Sequence, residues 1–294
     1  MSNYPVQKAL HLHEAKKVKK FQFGEYIVLE KLDGWYCYID CIGGEWNVLR
    51  SRVGREIPSL KHLSEAFRNI PVSTYDKNDS VRFVFEVTIP NETFHVANGI
   101  LNRKTELALE AVLNLHDCIQ LEQSKLDYAS RYKLCMTYFS SLQHYVGKVE
   151  LVPYLFWGCD TEEHAMQIFQ EVTSRGGEGI ILKELNAGYH FGKRNNTLMK
   201  IKEEVTKDLL VVGMVEGKGK YLGTLGALQV RTKSGVVMEV SGMSDLERRE
   251  WWYGFEKIVG RVVEVKAMKE LPGDMLREPR FKAIRWDKTA EDID

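Results

Sequence analysis

Eight charged residues sit inside stretches that are otherwise apolar or flanked by turns. They are Lys31 and Asp33 in VLEKLDGWYCYID, Arg52 in RSRVG, Glu86 in FVFEVT, Glu178 and Lys183 in EGIILK, and Lys200 with Lys202 in LMKIK. Burying an ionised side chain without a partner is costly, so charges at such positions need a polar cleft or each other. Lys200 and Lys202 alternate with Met199 and Ile201, which puts both amines on one face of a strand. Glu178 and Lys183 bracket the apolar triplet Ile180-Ile181-Leu182. For Lys31 alone, a hairpin turning at Asp33-Gly34 with solvated charges beside it is one reading, and a nucleophilic amine is the other. Only the unprotonated amine can attack, and at an ordinary lysine pKa this costs roughly 4–5 kcal/mol at pH 7. Cations folded close to such an amine would lower that cost, and carboxylates would raise it unless a metal neutralises them.

The elements that would position these groups follow from pattern. Residues 1–20 read as a basic helix. Strands are expected at 25–31, 35–41, 45–50, 81–89 and 131–142, and helices at 105–126 and 161–175, the latter opening at Asp160-Thr161. Short strands follow within GGEGIILKE and NTLMKIKEE. Beyond about residue 206 the texture changes to five short β-rich segments separated by glycine-containing turns, which suits a small barrel. The expected domains are therefore 1–205 and 206–294, with KEEVTKD (202–208) as the hinge.

Composition agrees with this reading: 294 residues, 44% apolar and 28% charged, make a globular chain with ample core material. No apolar run reaches the length of a membrane span and no signal-peptide core precedes the first strand, so an intracellular protein is expected. The five cysteines, at 37, 41, 118, 135 and 159, form no C-x-x-C pair, and buried free thiols are expected. A net charge of zero argues against non-specific coating of nucleic acid but permits a locally basic groove. The Gly-Lys pairs at 147–148, 192–193 and 217–218 lack the P-loop frame, so a nucleotide would have to bind by another architecture.

Taken in order, these elements resemble the covalent nucleotidyltransferases. EKLDG resembles their K-x-D-G motif, RSRVG the S-R-x-G element, EGIILK the E-G-x-x-x-K element and LMKIK the K-x-K element. VVGMVEGKGKYLGTLGALQVRT, SGMSDLERRE and LREPRFKAIRWDK resemble the C-terminal barrel of ATP-dependent DNA ligases, with RWDK as the R-x-D-K motif. The similarity spans about residues 20–290 and is nearest to the small two-domain ligases of bacteriophages and bacteria. The resemblance implies an α+β fold: an adenylation domain of antiparallel sheets and flanking helices, then an OB-fold β-barrel. It also implies a DNA ligase using ATP and Mg²⁺ (or Mn²⁺) to seal nicked duplex DNA, as a cytoplasmic monomer without a membrane or obligate protein partner.

By the same resemblance Lys31 takes AMP from ATP and passes it to the 5′-phosphate of a nick, which the 3′-OH then seals. Glu30, Leu32, Asp33 and Gly34 would line the nucleotide with it. Glu86 and Glu178 would hold Mg²⁺ or the ribose, and Arg52 would grip the ribose or the nick's 5′-phosphate. Lys183, Lys200 and Lys202 would contact phosphates, and Phe139 would stack on adenine. Arg285 and Lys288 would orient pyrophosphate, and Arg277, Arg280 and Lys282 would contact DNA. The chain departs from the family pattern at Tyr36 (commonly Arg), at Val84-Phe85 before Glu86 (commonly D-G), at Leu29 (commonly Glu) and at Ser140 (commonly acidic after the stacking aromatic). The rival readings are an RNA ligase, a capping guanylyltransferase, or a non-catalytic nucleic-acid-binding relative. RWDK and Glu178-Gly179 favour a DNA ligase over the first two.

Overall fold

The computed structural model describes residues 5–71, 80–123 and 125–294. The chain divides into two compact units, Met1–Lys202 and Glu203–Asp294, three residues before the expected boundary.

The first unit is built on two sheets. One has the order β1 (Lys8–His11), β11 (Arg194–Lys202), β10 (Gly179–Glu184), β2 (Tyr26–Glu30) and β9 (Tyr154–Cys159). Strand alternation gives it two distinct faces. Val28, Ile180, Leu182, Met199 and Ile201 point into a core closed by Ala165, Ile168 and Val172 of α5 (Glu162–Ser174). Leu29, Ile181 and Lys200 are cross-strand partners in register on the opposite face, where Ile27 and Leu29 pack with Tyr128 and Tyr132. The second sheet has the path β4 (Glu45–Trp46), β3 (Trp35–Ile42), β6 (Ser80–Thr88), β7 (Val112–Gln120) and β8 (Val149–Leu151), with β5 (Arg50–Ser51) also paired to β3. Cys37, Ile39, Phe83, Phe85, Leu113 and Leu115 fill the main core beneath α2 (Lys61–Phe67), α3 (Phe94–Leu101) and α4 (Tyr128–Val146). Tyr38 and Val84 point the other way, toward Tyr189.

The second unit is a five-stranded path ordered β14 (Val237–Val240), β13 (Leu225–Arg231), β12 (Val205–Glu216), β15 (Val262–Ala267) and β18 (Arg280–Ile284). A bridge between Ser241 and Arg280 brings its two ends together. The sheet wraps a core shared with Trp251 of α6 (Asp245–Tyr253), and a hairpin of β16 (Lys269–Leu271) and β17 (Met275–Arg277) is appended. This is the barrel-like arrangement expected from the five β-rich segments.

Three expectations fail in the first unit. Residues 131–142 belong to helix α4, not a strand. Asp127 caps its first turn by accepting from Ser130 N–H at 2.8 Å, and Gly147 ends it in the left-handed region at φ 75°. The expected helix at 105–126 contains strand β7, whose Leu113 and Leu115 alternate into the core. The basic N-terminal segment, beyond its first four residues, is strand β1 and the one-turn helix α1 (Leu12–Ala15), because pairing with β11 and burial of Leu12 and Ala15 outweigh its charge pattern. The five cysteines are free and buried, as expected. No helix among the described residues is long and apolar enough to cross a membrane.

Candidate active site

Lys31 lies just past the end of β2, at the top of the sheet face carrying Lys200. Its backbone N–H donates to Gly179 O at 2.8 Å, and its ammonium donates to Glu178 Oε2 at 2.5 Å. Two glycines make this approach possible. A Cβ on Gly34 would lie 2.4 Å from Val87 O and 2.9 Å from the Glu86 side chain, so only glycine lets the loop after Lys31 lie on β6 beside Glu86. A Cβ on Gly179, held at φ 149°, would lie 2.2 Å from Ile201 O. These two contacts bring Lys31, Glu86 and Glu178, far apart in sequence, to one place.

Charge converges there. Burial pushes the Glu86 carboxyl up to about 7; Lys31 and Arg52 oppose the rise, and Glu178 and Asp33 reinforce it. Burial likewise lowers the Lys200 amine to about 8, helped by the cations Lys202, Lys31, Arg194 and Arg52. A partly buried carboxyl on one side and a cluster of cations on the other are the donor types that a metal-bound polyphosphate would need. Among the described residues these carboxylates do not close into a three-carboxylate metal cage. Mg²⁺ does not need one: it is commonly held by one or two carboxylates together with substrate phosphates, so the donor set fits.

The raised Glu86 pKa has a consequence for stability. Between about pH 4.5 and 7 the folded chain keeps a proton that the unfolded chain has released. Glu86 therefore contributes stability at low pH that is lost as pH rises through 7, on the order of 3 kcal/mol for the full shift. Urea unfolding at about pH 5 and about pH 8 should show a smaller pH difference for Glu86→Gln than for the parent chain. Equal differences would place the Glu86 carboxyl in an ordinary, solvated environment.

Residues 7–202 match the family model described as the ATP dependent DNA ligase domain, and residues 216–285 match that of the DNA ligase OB-like domain. The chain belongs to the ATP-dependent DNA ligase family. A probable DNA ligase of Koribacter versatilis is 30% identical over 160 residues, covering 46% of this chain and 28% of that protein. A probable DNA ligase of Sorangium cellulosum is 26% identical over 298 residues, covering 90% of this chain and 54% of that protein. The chain thus spans under a third of the first relative and about half of the second. A solved structure from a structure-function analysis of Lig E DNA ligases superposes with a TM-score of 0.71 at 22% identity, covering 96% of this chain and 99% of that one, a likeness of fold.

The ligase fold sorts the expected site residues. Lys31, Asp33, Arg52, Glu86, Glu178, Lys200 and Lys202 share one electrostatic neighbourhood. Arg52 lies over the ring of Tyr36, 5.1 Å from its centroid. Glu30 does not join them. It pairs in register with Ile180, whose side chain enters the α5 core, and its carboxylate meets Arg175. Leu32 packs against the Tyr128–Tyr132 cluster.

Lys183 stands apart from this group. Its ammonium donates to His116 O at 2.9 Å, to Asp117 Oδ2 at 3.0 Å and to His116 Nδ1 at 3.1 Å. An ammonium has three hydrogens, so none remains for a phosphate. In this arrangement Lys183 is a buried tie between the two sheets. Phe139 also stands apart, on α4 and packed against the main core.

A residue that sequence reasoning did not single out, His116, lies next to Tyr36 and Lys183. Its Nδ1 accepts from Lys183, so the proton of the neutral ring resides on Nε2, and burial, then Lys183, lowers its pKa to about 3. The ring lies 6.3 Å from that of Tyr36. The available signal was LHDCI: a flat ring directly before an acid in an alternating apolar strand, the pattern sought at Phe139 but completed there only by Ser140.

In the second unit, Arg285 and Lys288 both reach Asp208. Among the described residues Arg280 and Lys282 form long pairs, with Glu278 at 3.4 Å and with the half-buried Glu264 at 3.6 Å, and such pairs yield readily to a phosphate.

Proposed function

We propose that this chain is an ATP-dependent DNA ligase that seals 5′-phosphate/3′-OH nicks in duplex DNA through AMP carried first on Lys31 and then on the DNA. The observation that carries the proposal is Lys31 Nζ on Glu178 Oε2 at 2.5 Å, beside the raised carboxyl of Glu86 and the lowered amine of Lys200. Residues 1–205 form the adenylation domain and 206–294 the OB domain.

Lys31 Nζ is engaged by Glu178 Oε2, and attack requires an amine freed of both that contact and its proton. A divalent cation bound by Glu86 and Glu178 would draw the carboxylate charge away from Lys31 and screen the polyphosphate. Lys200 and Lys202 then neutralise the α-phosphate as its bond to pyrophosphate breaks. Asp33 faces the ribose, and Arg52, steadied on Tyr36, takes the ribose or the nick's 5′-phosphate. His116 faces the base, and Arg285 and Lys288 hold the pyrophosphate. Arg277, Arg280 and Lys282 contact the DNA backbone, and the enzyme acts as a cytoplasmic monomer.

The test is a nicked duplex with DNA or RNA strands, incubated with ATP or GTP labelled at the α-phosphate. Sealing and protein labelling are expected with ATP and DNA strands; protein labelling by GTP alone would indicate a capping enzyme. Within the same assay, His116→Ala should raise the KM for ATP about tenfold, the scale of one base-stacking contact. Phe139→Leu should change it less than about twofold. The reverse order would return the base contact to Phe139.

A further inference from the structure

Arg285-Trp286-Asp287-Lys288 is a four-residue turn. Lys288 N–H donates to Arg285 O at 3.2 Å, and Arg285 N–H anchors the turn to Val262 O at 2.8 Å. The turn brings two cations together, where they repel. Asp208, on β12, answers that repulsion with one atom: its Oδ2 accepts from Arg285 Nη1 at 2.8 Å and from Lys288 Nζ at 2.5 Å. Asp208 is only 6% exposed, and its backbone is fixed on both sides, N–H to Asp294 Oδ2 at 2.6 Å and O from Asp294 N–H at 2.9 Å. Asp287 takes Arg285 from the other edge, accepting from Nε at 3.0 Å and Nη2 at 2.7 Å.

Counting donors shows whether this arrangement blocks the cations or holds them. Of the five guanidinium N–H groups three are engaged, and of the three ammonium hydrogens one is engaged. Among the described residues, two donors on each side chain remain for a ligand. We propose that Asp208 is the positioning residue that turns Arg285 and Lys288 into a rigid two-cation clamp for the departing pyrophosphate, an inference that rests on assigning those two cations to the phosphates. Its charge is essential, not only its shape. The second oxygen, Oδ1, is buried and has no hydrogen-bond partner among the described residues. An asparagine would therefore either point its NH₂ group at two cations or leave that group unpaired in the Oδ1 position.

The experiment uses the full chain and three readouts: transfer of AMP from ATP to the protein, sealing of a pre-adenylylated nick, and thermal unfolding. Asp208→Asn is expected to lower AMP transfer about 10- to 100-fold, chiefly through KM for ATP, and to leave sealing of the pre-adenylylated nick within about threefold. Asp208→Glu, which keeps the charge, should recover part of the loss. Adding Asp208→Asn to an Arg285→Ala/Lys288→Ala chain should cost nothing more, because the clamp is already gone. A normal KM in Asp208→Asn, with AMP transfer lost in the Arg285→Ala/Lys288→Ala chain, overturns the role of Asp208 alone. Unimpaired AMP transfer in the Arg285→Ala/Lys288→Ala chain overturns the phosphate assignment beneath it. Equal loss of both reactions with a lowered melting temperature makes Asp208 merely structural.

Discussion

Lys31→Arg should abolish AMP transfer from ATP to the protein, by at least about a thousandfold, while leaving the sealing of a pre-adenylylated nick within about tenfold. A guanidinium keeps the positive charge and can still meet Glu178, so a purely electrostatic role for Lys31 would survive the change. It cannot lose its proton at accessible pH and so offers no nucleophilic lone pair. The measurement is intact mass for one added AMP, then peptide mapping of its position. Mapping is needed because the site contains a second candidate. With its amine lowered to about 8, Lys200 is roughly a tenth unprotonated at pH 7, far more than an ordinary lysine. Geometry favours Lys31, which stands at a strand end beside both Glu86 and Glu178, whereas Lys200 is half-buried mid-strand opposite Ile181. AMP found on Lys200, or on the Lys31→Arg chain, would refute the assignment.

The second large effect is on stability. Asp117→Ala should destabilise the first unit by about 3–5 kcal/mol, the usual cost of stranding buried charges. Asp117 meets Arg131 Nε at 2.9 Å and Lys183 Nζ at 3.0 Å, and both cations are almost wholly buried. Burial alone would push the Asp117 carboxyl up; Arg131, then Lys183, outweigh it and hold the group well below the usual carboxylate range. Its folded pKa lies below its unfolded value of about 3.9, so the stability it contributes is fully present above that pH. It is lost as pH falls through the folded value. Thermal unfolding should therefore show a melting point lower by roughly 10 °C near neutral pH for Asp117→Ala, and a flatter acid limb below about pH 4. A loss under about 1 kcal/mol would mean that the two cations find other partners. Activity cannot separate this role from a catalytic one, because Lys183 and His116 move with Asp117; the acid limb can.

Much of this molecule was written locally. The alternation in VLEKLDGWYCYID, FVFEVT and LMKIK placed strands at β2, β3, β6 and β11, because a side-chain period of two is a property of consecutive residues. The family's motifs singled out Lys31, Glu86, Glu178 and Lys200, which the fold brings close together, and the five β-rich segments after residue 206 foretold the second unit. What the sequence could not settle was where a residue of mixed propensity goes. KLCMTYF reads as strand by composition, yet Tyr128, Tyr132, Cys135, Leu142 and Val146 bury one helical face of α4, and the caps at Asp127 and Gly147 fix its ends. The partner of a charge was equally hidden. Lys183 and Lys200 look alike along the chain, both lysines in apolar strands. Only the folded chain shows that Lys183 reaches across to β7 and spends every hydrogen on His116 and Asp117, while Lys200 faces other cations. Hydrogen-bond partners are set by contacts between residues 67 apart for Lys183 and His116 and 147 apart for Lys31 and Glu178, and no local pattern encodes them.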